Sequence, residues 1–81
     1  MYYVYLLRSI KDSRYYIGYT NDLRRRFLEH NTGQSKSTKH RGPFELLYYE
    51  AYPNQKSAMN REQRLKQFKN AFRELIKRVL L

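Results

Sequence analysis

Two tyrosine-rich segments near the start of the chain constrain its fold more than any other feature. Tyr2 to Arg8 and Arg14 to Tyr19 are rich in aromatic and β-branched residues, and the mostly polar residues 9–13 separate them. Such segments favour β-strands, and a short polar connection favours an antiparallel hairpin. The hairpin would place Tyr5 and Tyr16 on neighbouring strands, although the sequence does not fix whether they share a face.

A short helix is predicted after the hairpin. Thr20 or Asn21 can cap its start, and Asp22 in the first turn would favour the positive end of the helix dipole. Residues 31–33 include a glycine and can end the helix. Residues 34–42 are polar and basic without periodicity, which predicts an exposed loop.

The second half of the chain predicts a third strand and two further helices. Phe44 to Tyr52 is rich in aromatic residues, and the next two residues break this strand and can cap a helix over Gln55 to Phe68. Apolar residues then recur every three or four positions over 72–80, which indicates a separate final helix. We therefore expect an α/β (α+β) fold in a single domain, residues 1–81. It would have a small three-stranded β-sheet with an antiparallel N-terminal hairpin, flanked by three helices.

Charge and cysteine content narrow the range of partners. The 81 residues include 17 Lys and Arg against 7 Asp and Glu, a formal charge of +10. This balance favours a polyanion such as nucleic acid, but it also occurs where a basic surface is simply solvated. There is no cysteine, which excludes disulfides and thiolate zinc sites. No secretion signal or membrane-length apolar run is found, so we expect a cytoplasmic protein without a membrane partner.

Two polar residues of the first helix lie on or beside its apolar side. Leu23 and Phe27 set an apolar stripe, and helical spacing places Arg26 and His30 on it or next to it. A hydrogen-bonded core histidine would explain His30 without any function. A long stem lying on apolar surface, with its charged end in water, would explain Arg26 in the same way.

Glu62 is the polar residue whose position is hardest to explain on structural grounds alone. It follows Ala58 by four residues and precedes Leu65 by three, so it lies within the apolar side that these residues and Met59 define. A carboxylate there is costly to desolvate unless a cation compensates. The alternatives are an internal salt bridge with an arginine and a bound metal ion.

The order and spacing of these motifs resemble the GIY-YIG endonuclease domain, and the likeness covers nearly the whole chain. Ten residues separate the two tyrosine motifs, and Tyr3 stands where the family name has glycine. The chain looks closest to the small stand-alone bacterial members. The matching segments are Tyr3-Val4-Tyr5, Tyr16-Ile17-Gly18, and residues 19–26, 29–31, 43–48 and 58–66.

The resemblance implies an endonuclease that hydrolyses DNA phosphodiester bonds with one metal ion and a tyrosine-activated water. It makes Tyr5 and Tyr16 the candidates for orienting or deprotonating that water. It makes Arg26 the group that grips the scissile phosphate, and His30 a histidine near the reacting centre. Glu62 would bind Mg²⁺, which suits a single protein carboxylate, and Mn²⁺ can substitute for it.

The remaining candidates concern the surroundings of the site. Gly18 would let backbone or substrate approach closely beside the phosphate. Lys36, Lys39 and Arg41 are candidate nucleic-acid contacts, and a solvated loop is an equal alternative. The expected partner is DNA. The alternative function is a nucleic-acid-binding module that cleaves weakly or not at all.

Overall fold

The predicted α+β architecture is confirmed: three antiparallel strands and three helices. The computed structural model describes residues 1–80. The strands are β1 (Tyr2–Ser9), β2 (Tyr15–Thr20) and β3 (Phe44–Tyr52). The helices are α1 (Leu23–Asn31), α2 (Gln55–Gln67) and α3 (Lys69–Leu80), and a 3₁₀ turn spans Lys36–Thr38. No helix within residues 1–80 has the length and apolarity needed to cross a membrane.

Side-chain caps set the starts of α1 and α2. The Asp22 carboxylate accepts a hydrogen bond from the Arg25 N–H at 3.1 Å, so Asp22 is the N-cap of α1. Asp22 was predicted to lie in the first turn, but it precedes that turn. Thr20, one of the two predicted caps, accepts instead from the Asp22 N–H at 3.1 Å. The Asn54 side chain caps α2 by accepting from the Ser57 N–H at 2.9 Å.

The sheet has the order β2-β1-β3, so both edges of the central strand β1 are paired. Side chains alternate along a strand, and each face therefore buries its own apolar cluster. Helices α2 and α3 cover one face, where the core consists of Val4, Leu6, Ile17, Ala58, Leu65 and Leu75. Helix α1 covers the other face, where the core consists of Tyr5, Leu7 and Phe44, with Tyr16, Leu23 and Phe27 beside it.

The register of the hairpin settles where the two candidate tyrosines lie. Tyr5 pairs with Gly18 and Leu7 pairs with Tyr16, so Tyr5 and Tyr16 are diagonal neighbours on one face. Their ring centroids are 6.4 Å apart. Both phenols therefore face α1 and the segment that follows it.

The prediction of an exposed loop over residues 34–42 is wrong for its middle. Ser35 and Thr38 are buried, whereas Lys36 and Lys39 are exposed. The segment can be buried because its hydroxyl groups form hydrogen bonds with side chains of α1, which satisfies their polar atoms. The loop thus forms one wall of the region around Tyr5 and Tyr16.

Candidate active site

Tyr5 and His30 form a buried hydrogen-bonded pair at the centre of the candidate site. The Tyr5 side chain is 2% exposed and His30 is 1% exposed. The Tyr5 hydroxyl lies 2.9 Å from His30 Nε2, and His30 Nδ1 lies 2.7 Å from the Thr38 hydroxyl. The imidazole ring also packs edge-on against Tyr16 and Phe44, with ring centroids 5.0 and 6.0 Å away.

The surroundings fix the protonation states of this pair at neutral pH. Burial, reinforced by the charge of Arg26, lowers the pKa of His30 to about 4, so the imidazole is neutral. Burial raises the pKa of Tyr5 to about 12; Tyr16 adds to this rise and Arg26 opposes it. A neutral imidazole has one N–H and one acceptor nitrogen, and the hydroxyls of Tyr5 and Thr38 occupy both.

Arg26 is held at the junction of α1 and the following loop. Its Nη1 donates to Glu29 Oε1 at 2.8 Å, and its Nη2 donates to the Ser35 hydroxyl at 3.1 Å. The Ser35 hydroxyl is 3.2 Å from that of Ser37, which is 3.1 Å from the Tyr16 hydroxyl. The guanidinium and the more accessible phenol therefore belong to one hydrogen-bonded network.

Gly18 is needed because the Tyr5 ring crosses directly over it. A Cβ atom at Gly18 would lie 2.6 Å from Tyr5 Cζ and 3.2 Å from Tyr16 Cε2. Carbon atoms normally approach no closer than about 3.5 Å at their energy minimum. The sequence predicted a close approach at Gly18 by backbone or substrate; the group that approaches is the Tyr5 phenol.

Glu62 lies on α2 next to this network. Its side chain is 16% exposed, and its Oε2 is 3.5 Å from Lys66 Nζ, one helical turn later. Lys66 Nζ lies 5.8 Å from the centroid of the Tyr16 ring. Burial is the largest cause of the raised pKa of Tyr5 and Tyr16 adds to it; the charge of Glu62 is a smaller cause in the same direction. Side chains of α2 therefore reach the edge of the sheet where Tyr16 lies.

These side chains fit a divalent cation that takes few protein ligands. Within residues 1–80 no three His, Cys, Asp or Glu side chains cluster around a possible metal site, so a full protein ligand shell does not fit. Mg²⁺ does not need a full shell of protein ligands, because waters and phosphate oxygens usually complete its octahedron around one or two carboxylates. The alternative explanation, a salt bridge between Glu62 and an arginine, is not found within residues 1–80. The nearest arginine in sequence, Arg61, pairs instead with Glu50 at 2.6 Å. Among residues 1–80, the ion-pair partner of Glu62 is Lys66 alone, whose side chain is 49% exposed.

The basic residues predicted to contact nucleic acid differ in how strongly they are held. Lys36 and Lys39 are exposed. Arg41 forms an ion pair with Asp12 at 3.3 Å, and its guanidinium lies 5.6 Å from the centroid of the Phe44 ring. The two lysines are therefore available to a ligand in a way that Arg41 is not.

Three hydroxyl-bearing residues of the site were not predicted from the sequence. Ser35, Ser37 and Thr38 contact Arg26, Tyr16 and His30 respectively. Their segment has no periodicity, and serine and threonine between lysines are common in solvated loops. The density of hydroxyls in Ser35-Lys36-Ser37-Thr38 was the one sign of their role.

Comparison with known proteins identifies the family. The GIY-YIG catalytic domain family matches residues 1–75. A UPF0213 protein of Oceanobacillus iheyensis is 48% identical over 67 residues, which cover 82% of this chain and 77% of the relative. A UPF0213 protein of Halobacterium salinarum is 40% identical over 77 residues, which cover 94% of this chain and 99% of the relative. The solution NMR structure of a UPF0213 protein of Bacillus halodurans aligns with a TM-score of 0.59 at 38% identity, covering 95% of this chain and 84% of that one.

The fold and the family match place this chain in a class of small nuclease-type domains, and the family implies binding of nucleic acid. The chain belongs to the GIY-YIG family, whose match spans both tyrosine motifs, α1, β3 and α2. The family points to nuclease activity in general. The UPF0213 relatives from Oceanobacillus and Halobacterium are of similar size to this chain.

Proposed function

We propose that the protein is an endonuclease that hydrolyses DNA phosphodiester bonds at the region between Tyr16, Arg26 and Glu62. The observation that supports this most strongly is that two hydrogen-bonded networks adjoin each other: Tyr5 with His30, and Tyr16 with Arg26 through two serines. The Tyr16 and His30 rings are in contact, and the Glu62 carboxylate is near enough to raise the pKa of Tyr5. Such groups can orient a water, neutralise charge on a phosphoryl group and hold a metal ion. The net charge of +10 suits a phosphate-bearing substrate.

The two tyrosines differ in accessibility, and this difference assigns them different tasks in the proposal. Tyr16 is only half-buried and its hydroxyl contacts Ser37 at the surface, so Tyr16 is the phenol that meets the attacking water. Tyr5 is buried and its pKa is raised to about 12, so it stays protonated and acts while hydrogen-bonded to His30. His30 assists Tyr5 by fixing the direction of its hydroxyl.

Arg26 would stabilise charge on the phosphoryl group, since its charge acts on Tyr5 and two serine hydroxyls link it to Tyr16. Glu29 and Ser35 fix its guanidinium, which lowers the cost of ordering this side chain when substrate binds. Glu62 would hold Mg²⁺ or Mn²⁺, and a bound ion would supply positive charge that stabilises phosphate oxygens. The Lys66 side chain that pairs with Glu62 is 49% exposed, so this ion pair would oppose ion binding only weakly.

Cleavage of a substrate panel tests the proposal. We expect Mg²⁺-dependent cleavage of at least one DNA among single-stranded, duplex, flap and branched forms, with RNA versions included. Tyr16→Phe and Arg26→Ala should lower the cleavage rate about 100-fold or more while binding stays near wild type. Arg24→Ala, an exposed change on the same helix, is the control and should cleave normally. Wild-type rates in both site variants at saturating DNA would refute the site.

A second candidate function is a nucleic-acid-binding module with weak or no cleavage. Two observations favour it. The raised pKa of Tyr5 keeps its phenol protonated, and Glu62 is already paired with Lys66. Under this alternative, no substrate of the panel is cleaved with Mg²⁺ or Mn²⁺. The site variants would then change binding only.

The loop lysines would contribute phosphate contacts under either function. Log K should fall with log salt by roughly 0.7 to 0.9 per contact. We expect Lys36→Ala with Lys39→Ala to reduce this slope by about 1 to 2, and Arg41→Ala to change it less, because Asp12 already holds Arg41. An unchanged slope in the double variant would show that the two lysines make no phosphate contacts and that the loop is only a solvated surface.

A further inference from the structure

A groove of about 660 Å³ runs along the outer edge of β2, between that edge and helices α2 and α3. Its volume lies within the roughly 300 to 1,000 Å³ typical of ligand sites. The apolar wall consists of Tyr15, Tyr16, Ile17, Leu65, Phe72 and Ile76. Since β2 is an edge strand, nothing among residues 1–80 pairs with its outer side.

The rim of the groove is entirely basic. Lys66, Lys69 and Arg73 line it together with the apolar wall, and none of the acidic residues within 1–80 does. Lys69 and Arg73 are exposed and form no ion pair with any residue that the structure describes. This combination of an apolar wall and a positively charged rim is complementary to a ligand that has both a flat apolar part and negative charge.

Three of the residues that form the apolar wall are aromatic. Tyr15 and Phe72 meet edge to face with centroids 5.6 Å apart, and both are only partly buried. Tyr16 lines the same groove while its hydroxyl belongs to the candidate active site. Lys66 likewise lies on the rim and contacts Glu62. The groove therefore opens directly onto the site proposed for cleavage.

We propose that this groove binds an unpaired nucleotide of a single-stranded segment of nucleic acid. The base would stack on the Tyr15 and Phe72 wall, and the flanking phosphates would meet Lys69 and Arg73. Bases of a duplex are stacked on each other and cannot enter, whereas every unpaired base offers a face to an aromatic ring. This inference rests on the proposed function, because it names the form of substrate that the same site receives.

Metal-free binding measured by fluorescence anisotropy tests the groove separately from cleavage. The probes are a short labelled single strand, the same strand in a duplex, and an abasic strand with the same number of phosphates. We expect the single strand to bind on the order of tenfold more tightly than the abasic strand, the effect of stacking one base. Equal binding of the single strand and the abasic strand would overturn the proposal, as would equal binding of the duplex.

Two protein variants locate the effect. Lys69→Glu with Arg73→Glu should weaken single-strand binding on the order of tenfold or more, whereas the matched control Lys56→Glu with Lys77→Glu, equal in charge change but outside the groove, should weaken it less. Equal losses in the two double variants would overturn the groove as the binding site.

Phe72→Leu keeps the wall apolar but removes a ring, so it should abolish most of the preference for the strand with bases. Circular dichroism would verify that each variant is folded, and the ratio of the two affinities within one protein is independent of its concentration of folded molecules. An unchanged preference in Phe72→Leu would overturn the stacking assignment.

The remaining outcomes separate the groove from the proposed function. If an acidic peptide competes as well as the single strand, the groove is a peptide site and the proposal is wrong. If base-dependent binding maps to the groove but no substrate is cleaved, the proposed nuclease function fails and the groove stands. If DNA is cleaved while the groove variants bind like wild type, the function stands and the groove proposal fails.

Discussion

Lowering the pH from 7 to about 4.5 should destabilise the fold by about 2 kcal/mol through His30 alone. The imidazole is buried against Tyr5 and Thr38, and its pKa is lowered from 6.5 to about 4 by burial and then by Arg26, with Glu29 opposing. The unfolded chain takes up a proton near pH 6.5, but the native ring resists protonation until about pH 4. Between these values the unfolded state binds more protons, so stability is present above pH 6.5 and is lost as the pH falls.

The magnitude follows from the shift. One pKa unit corresponds to 1.36 kcal/mol, so the full drop to a pKa of about 4 is worth about 3 kcal/mol, of which about 2 kcal/mol is lost by pH 4.5. Asp12, Glu29 and Glu50 have lowered pKa values, so the stability from these carboxylates is lost mainly at more acidic pH.

Urea unfolding followed by circular dichroism at a series of pH values measures this term. His30→Gln removes the titrating ring but can still form hydrogen bonds, and its loss of stability between pH 7 and 4.5 should be about 2 kcal/mol smaller than that of wild type. His40→Gln, an exposed histidine in the same protein, is the matched control and should keep the wild-type dependence. Parallel pH profiles for wild type and His30→Gln would refute the reasoning.

Two further predictions concern the packing of the site. Gly18→Ala should lower the free energy of unfolding by about 2 kcal/mol, and the melting temperature by about 10 °C, because the added methyl group meets the Tyr5 ring; a melting temperature at or above wild type would show that the ring can move aside. Thr38→Val should cost about 1 to 3 kcal/mol by leaving His30 Nδ1 without a partner, and should lower cleavage as well. Thr32→Val, which removes an exposed hydroxyl, is the control, and equal losses in both threonine variants would contradict the role of Thr38.

The sequence was sufficient to predict the elements because each has a local pattern. The β3 bounds, Phe44–Tyr52, are those predicted, and the final helix follows from apolar periodicity alone. The hairpin was predictable, but its register was not, because a shift of one residue would have moved Tyr16 to the opposite face. Only the structure shows that Tyr5 and Tyr16 share a face.

The contacts of the site were less predictable, because they join distant parts of the chain. The Tyr16 and Ser37 hydroxyls are 21 residues apart, and no periodicity brings them together. The cation paired with Glu62 could have been found from helical spacing, since Lys66 is one turn away. Arg61, the arginine adjacent to Glu62, is directed to Glu50 instead, because consecutive helix residues point to different sides.

The buried side of α2 is also narrower than the sequence indicated. Met59 was predicted to share it with Ala58 and Leu65, but Met59 is exposed. Glu62 therefore lies nearer the edge of the stripe than the sequence indicated, and its side chain is 16% exposed. This position lowers the cost of the carboxylate in the free protein.

The central claim is that Glu62 serves a metal ion and not the fold, and Glu62→Gln tests it most directly. Thermal melts of wild type and variant, with and without Mg²⁺ or Mn²⁺, should be measured beside DNA cleavage. We predict that the variant loses metal-dependent cleavage, melts without metal at or above the wild-type temperature, and gains no stability from added ions. The Lys66 pair is partly exposed, so its loss should cost at most about 1 kcal/mol. A metal-free loss of about 3 to 5 kcal/mol with cleavage retained would contradict the claim, because that is the cost of breaking a buried structural ion pair.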